Sequence, residues 1–263
     1  MTISYPTDIT DDQWELIRPL LPAAKPGGRP RSTDLRAVIN ALFYTVVAGG
    51  AWRMMPKDYP PWQTVYDYFR DWRLDGTWQK IHDQFAQWVR VKDGHDPTPS
   101  AASMDSQSVK TGILGLKELG FDGGKKIKGH KRHLMVDTLG LVMMVVVTAA
   151  NVSDQQGARL IFERLKAWPH RVKRLVRIWV DGTYDGIDFM KWTMDTYRWI
   201  LETVKRSDDV KGFVLLPKRW VIERTWGWLN WSRRLSKDYE VLTENSETFI
   251  YIAMIRILLR RLA

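Results

Sequence analysis

The chain has 263 residues, enough for one large domain or two smaller ones, and no cysteine, which excludes a disulfide framework, a cysteine-ligated zinc site and a thiol nucleophile. Forty Lys and Arg against thirty Asp and Glu leave a net charge of +10. That excess suits a polyanionic partner, and it also suits a soluble protein that is simply basic. The longest apolar run, LVMMVVVTAA at 141–150, is too short to span a bilayer, and the acidic opening MTISYPTDITDDQWE lacks the order of a signal peptide. A cytoplasmic protein is expected. Of the fourteen tryptophans, most are expected in the core and a few are free to stack on bases.

Residues 1–98 read as helical. In TDLRAVINALFYTVVAGG, Leu35, Val38, Ile39, Leu42, Phe43 and Val46 recur at helical spacing. Ser32 or Thr33 is expected at the N-cap and Gly49-Gly50 at the stop. In WQTVYDYFRDWRLDGTW, Val65, Phe69 and Trp72 line one helical face, with Gln63, Tyr66, Arg70 and Arg73 on the other. Two helices across a Gly- and Pro-marked segment, the second with a basic face, fit a helix-turn-helix-like module; they fit a plain helical bundle equally well. KPGGRPRS at 25–32, with Arg29 and Arg31, reads as a turn or as a basic arm for a minor groove.

The polar segment KDGHDPTPS at 92–100 marks a domain boundary, so the expected division is a helical domain at 1–98 and a second domain at 99–263. From 101 the pattern changes. AASMDSQSV reads as a strand, and the Gly- and Lys-rich stretch 112–130 as a loop. HLMVDT and LVMMVVVTAA form a hairpin about Leu139-Gly140. A helix at 154–167, a strand RLVRIWVDG, a helix DGIDFMKWTMD and a strand WILETVK follow. KRWVIERTWGWLNWSRRL and TFIYIAMIRILLRRLA read as closing helices, the latter packed internally. The order β-β-β-α-β-α-β-α predicts an α/β domain with a mixed sheet, antiparallel first and parallel afterwards.

Two strands carry an acid at similar places: Asp105 in MDSQS and Asp181 in WVDGTYDG. Functional groups gather at the carboxyl ends of parallel strands, so these two can face each other. Two close carboxylates repel in a low-dielectric site, and a divalent cation with a preference for carboxylate oxygens relieves the repulsion. Glu223 is the candidate third acid. It shares a polar helical face with Arg219 and Asn230; a simple Arg219–Glu223 surface pair is the alternative. Asp137 is expected to cap the hairpin turn, and Asp122, Asp154 and Asp185 to cap loops or helix starts. KKIKGHKRH at 125–133 brings Lys125, Lys126, Lys128, Lys131 and Arg132 toward the acids, where a phosphodiester needs cations; a solvated loop is the alternative.

Taken together, DITDDQWELIRPLLP, GGRPRSTDLRAVINALFY, MDSQSVKT, GGKKIKGHKRHLMVDTLGL, VTAANVSDQQGA, WVDGTYDG and WVIERTWGWLNWSRRLSKDYE resemble the short bacterial insertion-sequence transposases of the Asp-Asp-Glu class, over essentially the whole chain. The resemblance implies a helical DNA-binding domain followed by a ribonuclease H-like catalytic domain, with the acids on Asp105, Asp181 and Glu223. It implies two Mg²⁺ ions, with Mn²⁺ as a substitute, flanking a scissile phosphate. It also implies double-stranded DNA as partner at both element ends and target, two ends held by at least a dimer, and a nucleoid location. Relatives carry an Arg one helical turn before the Glu, which falls on Arg219. Their upstream Tyr falls on Leu216 and their downstream Lys on Asn230; these are departures, for which Arg233 and Arg234 are candidate replacements. A non-catalytic DNA-binding derivative and a nuclease that only hydrolyses are the competing readings.

Overall fold

The computed structural model describes residues 5–24, 27, 30–112, 118–204 and 218–263. Leu216 and Arg29 lie outside the described residues. Four helices come first: α1 (Asp11–Ile17), α2 (Leu35–Ala48), α3 (Trp62–Leu74) and α4 (Thr77–Lys92). The apolar spacing at 35–46 is that of α2, but its cap is Asp34, whose carboxylate accepts from Arg36 and Ala37, not Ser32 or Thr33. Val65, Phe69 and Trp72 are the buried stripe of α3.

The sheet contains β1 (Ala101–Lys110), β2 (Gly120–Asp122), β3 (Ile127–Asp137), β4 (Val142–Ala149), β5 (Arg177–Val180) and β6 (Ile200–Thr203). β1 pairs with β3 antiparallel and with β5 parallel; β3–β4 is antiparallel and β5–β6 parallel. The antiparallel-then-parallel expectation therefore holds. The Gly- and Lys-rich stretch is not all loop: β2 pairs with the start of β3, on the edge that β4 occupies further along. Asp122 closes that hairpin by accepting from the Lys125 amide at 3.0 Å.

Helices α5 (Asp154–Lys166), α6 (Pro169–Val172) and α7 (Ile187–Tyr197) follow β4 and β5 in the chain, and α8 (Trp220–Asn230) and α9 (Thr243–Leu262) close it. Alternation along the strands divides the core. Ala102, Met104, Ile178 and Val180 pack with Ile161, Phe162 and Phe189 of α5 and α7. Leu134, Val136, Val145 and Val147 face the other way, against α8, α9 and the N-terminal helices. The last apolar segment is the central strut of that layer: α9 is buried from Asn245 to Ile255, and Phe249 stacks on Phe69 of α3 at 4.7 Å. The helix at 218–235 is shorter than its sequence pattern. It stops at Asn230, and Ser232 turns extended before a 3₁₀ turn at Arg233–Leu235.

Candidate active site

β1 and β5 run in register from Ala101↔Arg177 to Ser103↔Trp179, and the same offset sets Asp105 level with Asp181 where the ladder ends. Side chains alternate across a strand. Ala102, Met104, Ile178 and Val180 take the α5 face, so Ser103, Asp105, Trp179 and Asp181 take the α8 face. Asp181 caps the 3₁₀ turn Gly182–Tyr184, accepting from the Thr183 amide at 2.8 Å and from the Thr183 hydroxyl. The strand that ends on a charge thus ends on a carboxylate already held in place.

Asp105 is held by α8. Trp226 Nε1 donates to its Oδ2 at 3.1 Å. Burial lifts the Asp105 carboxyl above the usual carboxylate range; the charge of Asp181 lifts it further, while the Ser106 amide, Arg219 and Trp226 oppose the rise. Arg219, at the N-cap of α8, reaches Asp181 at 3.7 Å, so its partner is the strand acid and not Glu223. Glu223 is exposed, one helical turn before Trp226 and on the same side of α8.

Local contacts fix α8 against the strands. The Ser103 hydroxyl donates to the Lys218 carbonyl at 2.8 Å, and Lys218 Nζ meets Glu202 of β6 at 2.9 Å. Thr225 donates to the Gly140 carbonyl and Arg224 to that of Leu139, so α8 rests on the β3–β4 turn.

The family described as "Transposase DDE domain" matches residues 96–258, more than half of the chain, and that described as "Putative transposase of IS4/5 family" matches residues 9–82. The chain belongs to the DDE transposases. Among curated relatives, it is 32% identical over 117 residues to an uncharacterized 16.2 kDa protein of insertion element IS402 from Burkholderia cepacia, covering 41% of this chain and 77% of that one. It is 29% identical over 119 residues to a putative transposase for the same element, covering 43% of this chain and 54% of that one. An uncharacterized protein y4sN of Sinorhizobium fredii is 33% identical over 64 residues, 24% of this chain and 51% of that one. No solved structure matches. The sheet of this transposase, β4-β3-β1-β5-β6, is the ribonuclease H-like core of the DDE domain.

DDE domains work with divalent metal ions, and the oxygen donors of Asp105 and Asp181 suit such an ion. Among the described residues no three acidic or imidazole side chains already converge as a metal cage. The fit rests on the paired aspartates, whose mutual repulsion a cation relieves, with Glu223 on the neighbouring helix.

Three residues around these acids carry roles that the sequence pattern does not assign. Trp226 lies three places after Glu223, a spacing that carries the signal. Tyr184 is fully buried, and its hydroxyl pKa is pushed well up by that burial and by the charges of Asp105, Asp154 and Asp181. Asp154 was expected as a helix cap; Ser153 is the cap, and Asp154 instead accepts from Ser106 at 2.7 Å and Lys131 at 3.3 Å. Burial raises the Asp154 carboxyl, but the Ser106 hydrogen bond and the Lys131 charge bring it below the usual range. The capping role of Asp137 is present, from the Leu139 and Leu141 amides, together with a buried ion pair to Arg90.

The basic residues divide sharply. Lys125, Lys126 and Lys128 are exposed at the β2–β3 hairpin, and Arg233 is exposed after α8. Arg132 is no surface cation: its buried guanidinium donates to the Leu235 and Lys237 carbonyls at 2.7 and 3.2 Å. Arg234 is likewise buried, paired with Glu240 and stacked on Phe249, so neither replaces a DNA-facing cation. Lys131 is buried and paired with Asp154 and Asp122. Arg31 donates to the Pro22 and Ala23 carbonyls, Arg70 is flanked by Asp67 and Asp71, and Arg73 is half-buried. No helix among the described residues is long and apolar enough to cross a membrane.

Proposed function

We propose that this transposase binds the terminal inverted repeats of its own insertion sequence, cleaves the ends and joins them to target DNA. Asp105, Asp181 and Glu223 serve as the acids. The reading is carried by one observation: two carboxylates lie level just beyond the last paired residues of a parallel strand pair, close enough for each to feel the other's charge, with the helix of the third acid bonded to the first through Trp226. Trp226 fixes the orientation of Asp105, while Thr183 and Arg219 restrain Asp181. Neither carboxylate then needs to be ordered when DNA arrives, which lowers the entropic part of the barrier. Two Mg²⁺ ions held by the three acids, replaceable by Mn²⁺, would supply charge neutralisation at the phosphate and activation of a water or 3′-hydroxyl.

In the same reading residues 1–98 recognise the repeats, and Lys125, Lys126, Lys128 and Arg233 hold phosphates near the acids. A homodimer brings two element ends together, close to the nucleoid. The test uses end-labelled DNA from the flanks of the gene, a plasmid target, and Mg²⁺ or Mn²⁺. End-specific nicking and joined products are expected from the wild type. Asp105→Asn, Asp181→Asn and Glu223→Gln should each lose both while still binding the ends. Full activity in any of the three removes that residue from the centre, and cleavage without joining moves the reading to a hydrolytic nuclease.

A further inference from the structure

Trp220, Arg224, Trp228 and Trp231 recur along one stripe of α8 and its C-cap. The Arg224 guanidinium lies 4.3 Å from the ring centre of Trp220 and 4.6 Å from that of Trp228, a cation held between two indoles. The stripe then ends on Trp231, which is 82% exposed and has no ring partner among the described residues. Trp228 and Trp231 form one wall of a groove of about 300 Å³; Arg256, Ile257, Arg260 and Arg261 of α9 form the other. That volume is at the lower end of ligand-sized clefts, roughly 300–1,000 Å³.

The charge in this groove is unbalanced. Arg261 is paired with Asp93 at 2.7 Å, but Arg256 and Arg260 have no carboxylate partner among the described residues. Burial pushes the Arg256 guanidinium down to about 10, and the neighbouring charge of Arg260 adds to it. An anion between the two side chains relieves both effects. A duplex offers phosphates but keeps its base faces stacked inside; an unpaired nucleotide offers a phosphate and a free aromatic face together. A second copy of the chain is a poorer occupant, because a two-fold contact through this patch would set arginines against arginines.

We infer that the groove between α8 and α9 binds single-stranded DNA, with a base stacked on Trp231 and its phosphate between Arg256 and Arg260. The inference rests on the transposase reading above, in which an end of the bound element is cleaved and the cut strand is free to separate. Trp231 lies eight residues beyond Glu223, about 12 Å along the helix. A strand separated near the acids is therefore within a few nucleotides of the groove.

The test is fluorescence anisotropy in EDTA with a labelled ten-nucleotide single strand and, separately, the matching duplex. Trp231→Ala should weaken single-strand binding roughly ten-fold or more and change duplex binding less than about two-fold. Trp231→Phe should keep most of the affinity, and far-ultraviolet circular dichroism should match wild type for both. The Arg256→Gln/Arg260→Gln double variant, which gives up the one phosphate held between them, should reduce the salt slope of single-strand binding by about 0.7. Equal loss on single strand and duplex, or no loss in Trp231→Ala, overturns the proposal. So does a change in oligomeric state by light scattering with single-strand affinity intact, which would make the face a contact between copies. End cleavage by the wild-type sample is measured alongside. Cleavage without the strand preference removes the groove alone; the preference without cleavage keeps the groove and removes the functional reading.

Discussion

Several ionisable side chains are held in states they would not choose in water. Asp105 loses solvation and faces another carboxylate, opposed by the Ser106 and Trp226 donors and by the charge of Arg219. His133 bears the same tension away from the acids. It is fully buried on β3, with Nε2 3.1 Å from the Thr148 hydroxyl, and its Nδ1 has no hydrogen-bond partner among the described residues. Gly157 of α5 packs on the ring so closely that an added Cβ would fall 2.1 Å from Nδ1, which explains a glycine inside a helix. Burial chiefly pushes the His133 pKa down to about 4. The unfolded chain binds this proton below about 6.5, and the folded chain refuses it until about 4. Stability attributable to His133 is therefore complete above about 6.5, declines as the pH falls and is gone by about 4. Between pH 7 and pH 5 the loss should be about 2 kcal/mol. Urea midpoints at the two pH values measure it, and His133→Gln should flatten the dependence, leaving only the share of other buried groups such as His82. An unchanged slope in the variant would show that His133 does protonate in the folded chain.

α8 is the element on which the centre depends, because it carries Glu223, Arg219 and Trp226 together. Its seat is the β3–β4 turn. Gly140 has φ +79°, and a Cβ there would lie 2.8 Å from Thr225 Oγ1 and 3.2 Å from the Trp228 ring. Gly140→Ala combines backbone strain with displacement of the helix, at a cost of roughly 1–3 kcal/mol. It should lower end cleavage more than it lowers DNA binding, measured as the rate constant at saturating protein. Normal cleavage in a destabilised variant would mean that α8 does not position the acids. The placement of the candidate acids was in part legible in the sequence. An apolar strand closing on Asp181 and a polar stripe through Glu223 are local patterns. Trp226 was hidden because its partner is 121 residues away. Arg132 and Arg234 were misread for the same kind of reason. A guanidinium in a basic run looks solvated until the carbonyls of Leu235 and Lys237, or the carboxylate of Glu240, fold over it. The extra strand β2 was missed because glycine and lysine are poor strand formers, and its pairing comes from Gly120 to Asp122 lying beside β3.

The whole molecule is organised around α9. One continuous core includes Val38 and Phe43 of α2, Phe69 of α3, Phe85 of α4, Val145 of β4, Ile222 of α8 and most of α9. A break in composition at 92–100 therefore separates two patterns of sequence without separating two cores. A buried link across it is Arg90 of α4, which pairs with Asp137 on β3 and donates to the Asp96 carbonyl at 2.8 Å; Arg171 of α6, paired with Asp83 of α4, is another. Burial keeps the Asp137 carboxyl above its usual range in spite of Arg90, so the anion depends on that guanidinium. Removing one partner of a buried pair leaves an uncompensated charge, at a cost of roughly 3–5 kcal/mol. Arg90→Ala should lose that much in urea unfolding, and adding Asp137→Asn should return a large part of it, since the stranded charge is gone. Hydrogen exchange then distinguishes one cooperative unit from two. If the core is shared, amides of α4 and of β3 open with the same free energy, and Arg90→Ala lowers both by the same amount. If α4 amides open more easily and β3 is untouched by the substitution, the helical part folds on its own and α9 merely rests against it. In the shared-core case a load on the N-terminal helices reaches the strands that carry the acids, because α9 packs on α2, α4 and β4 alike.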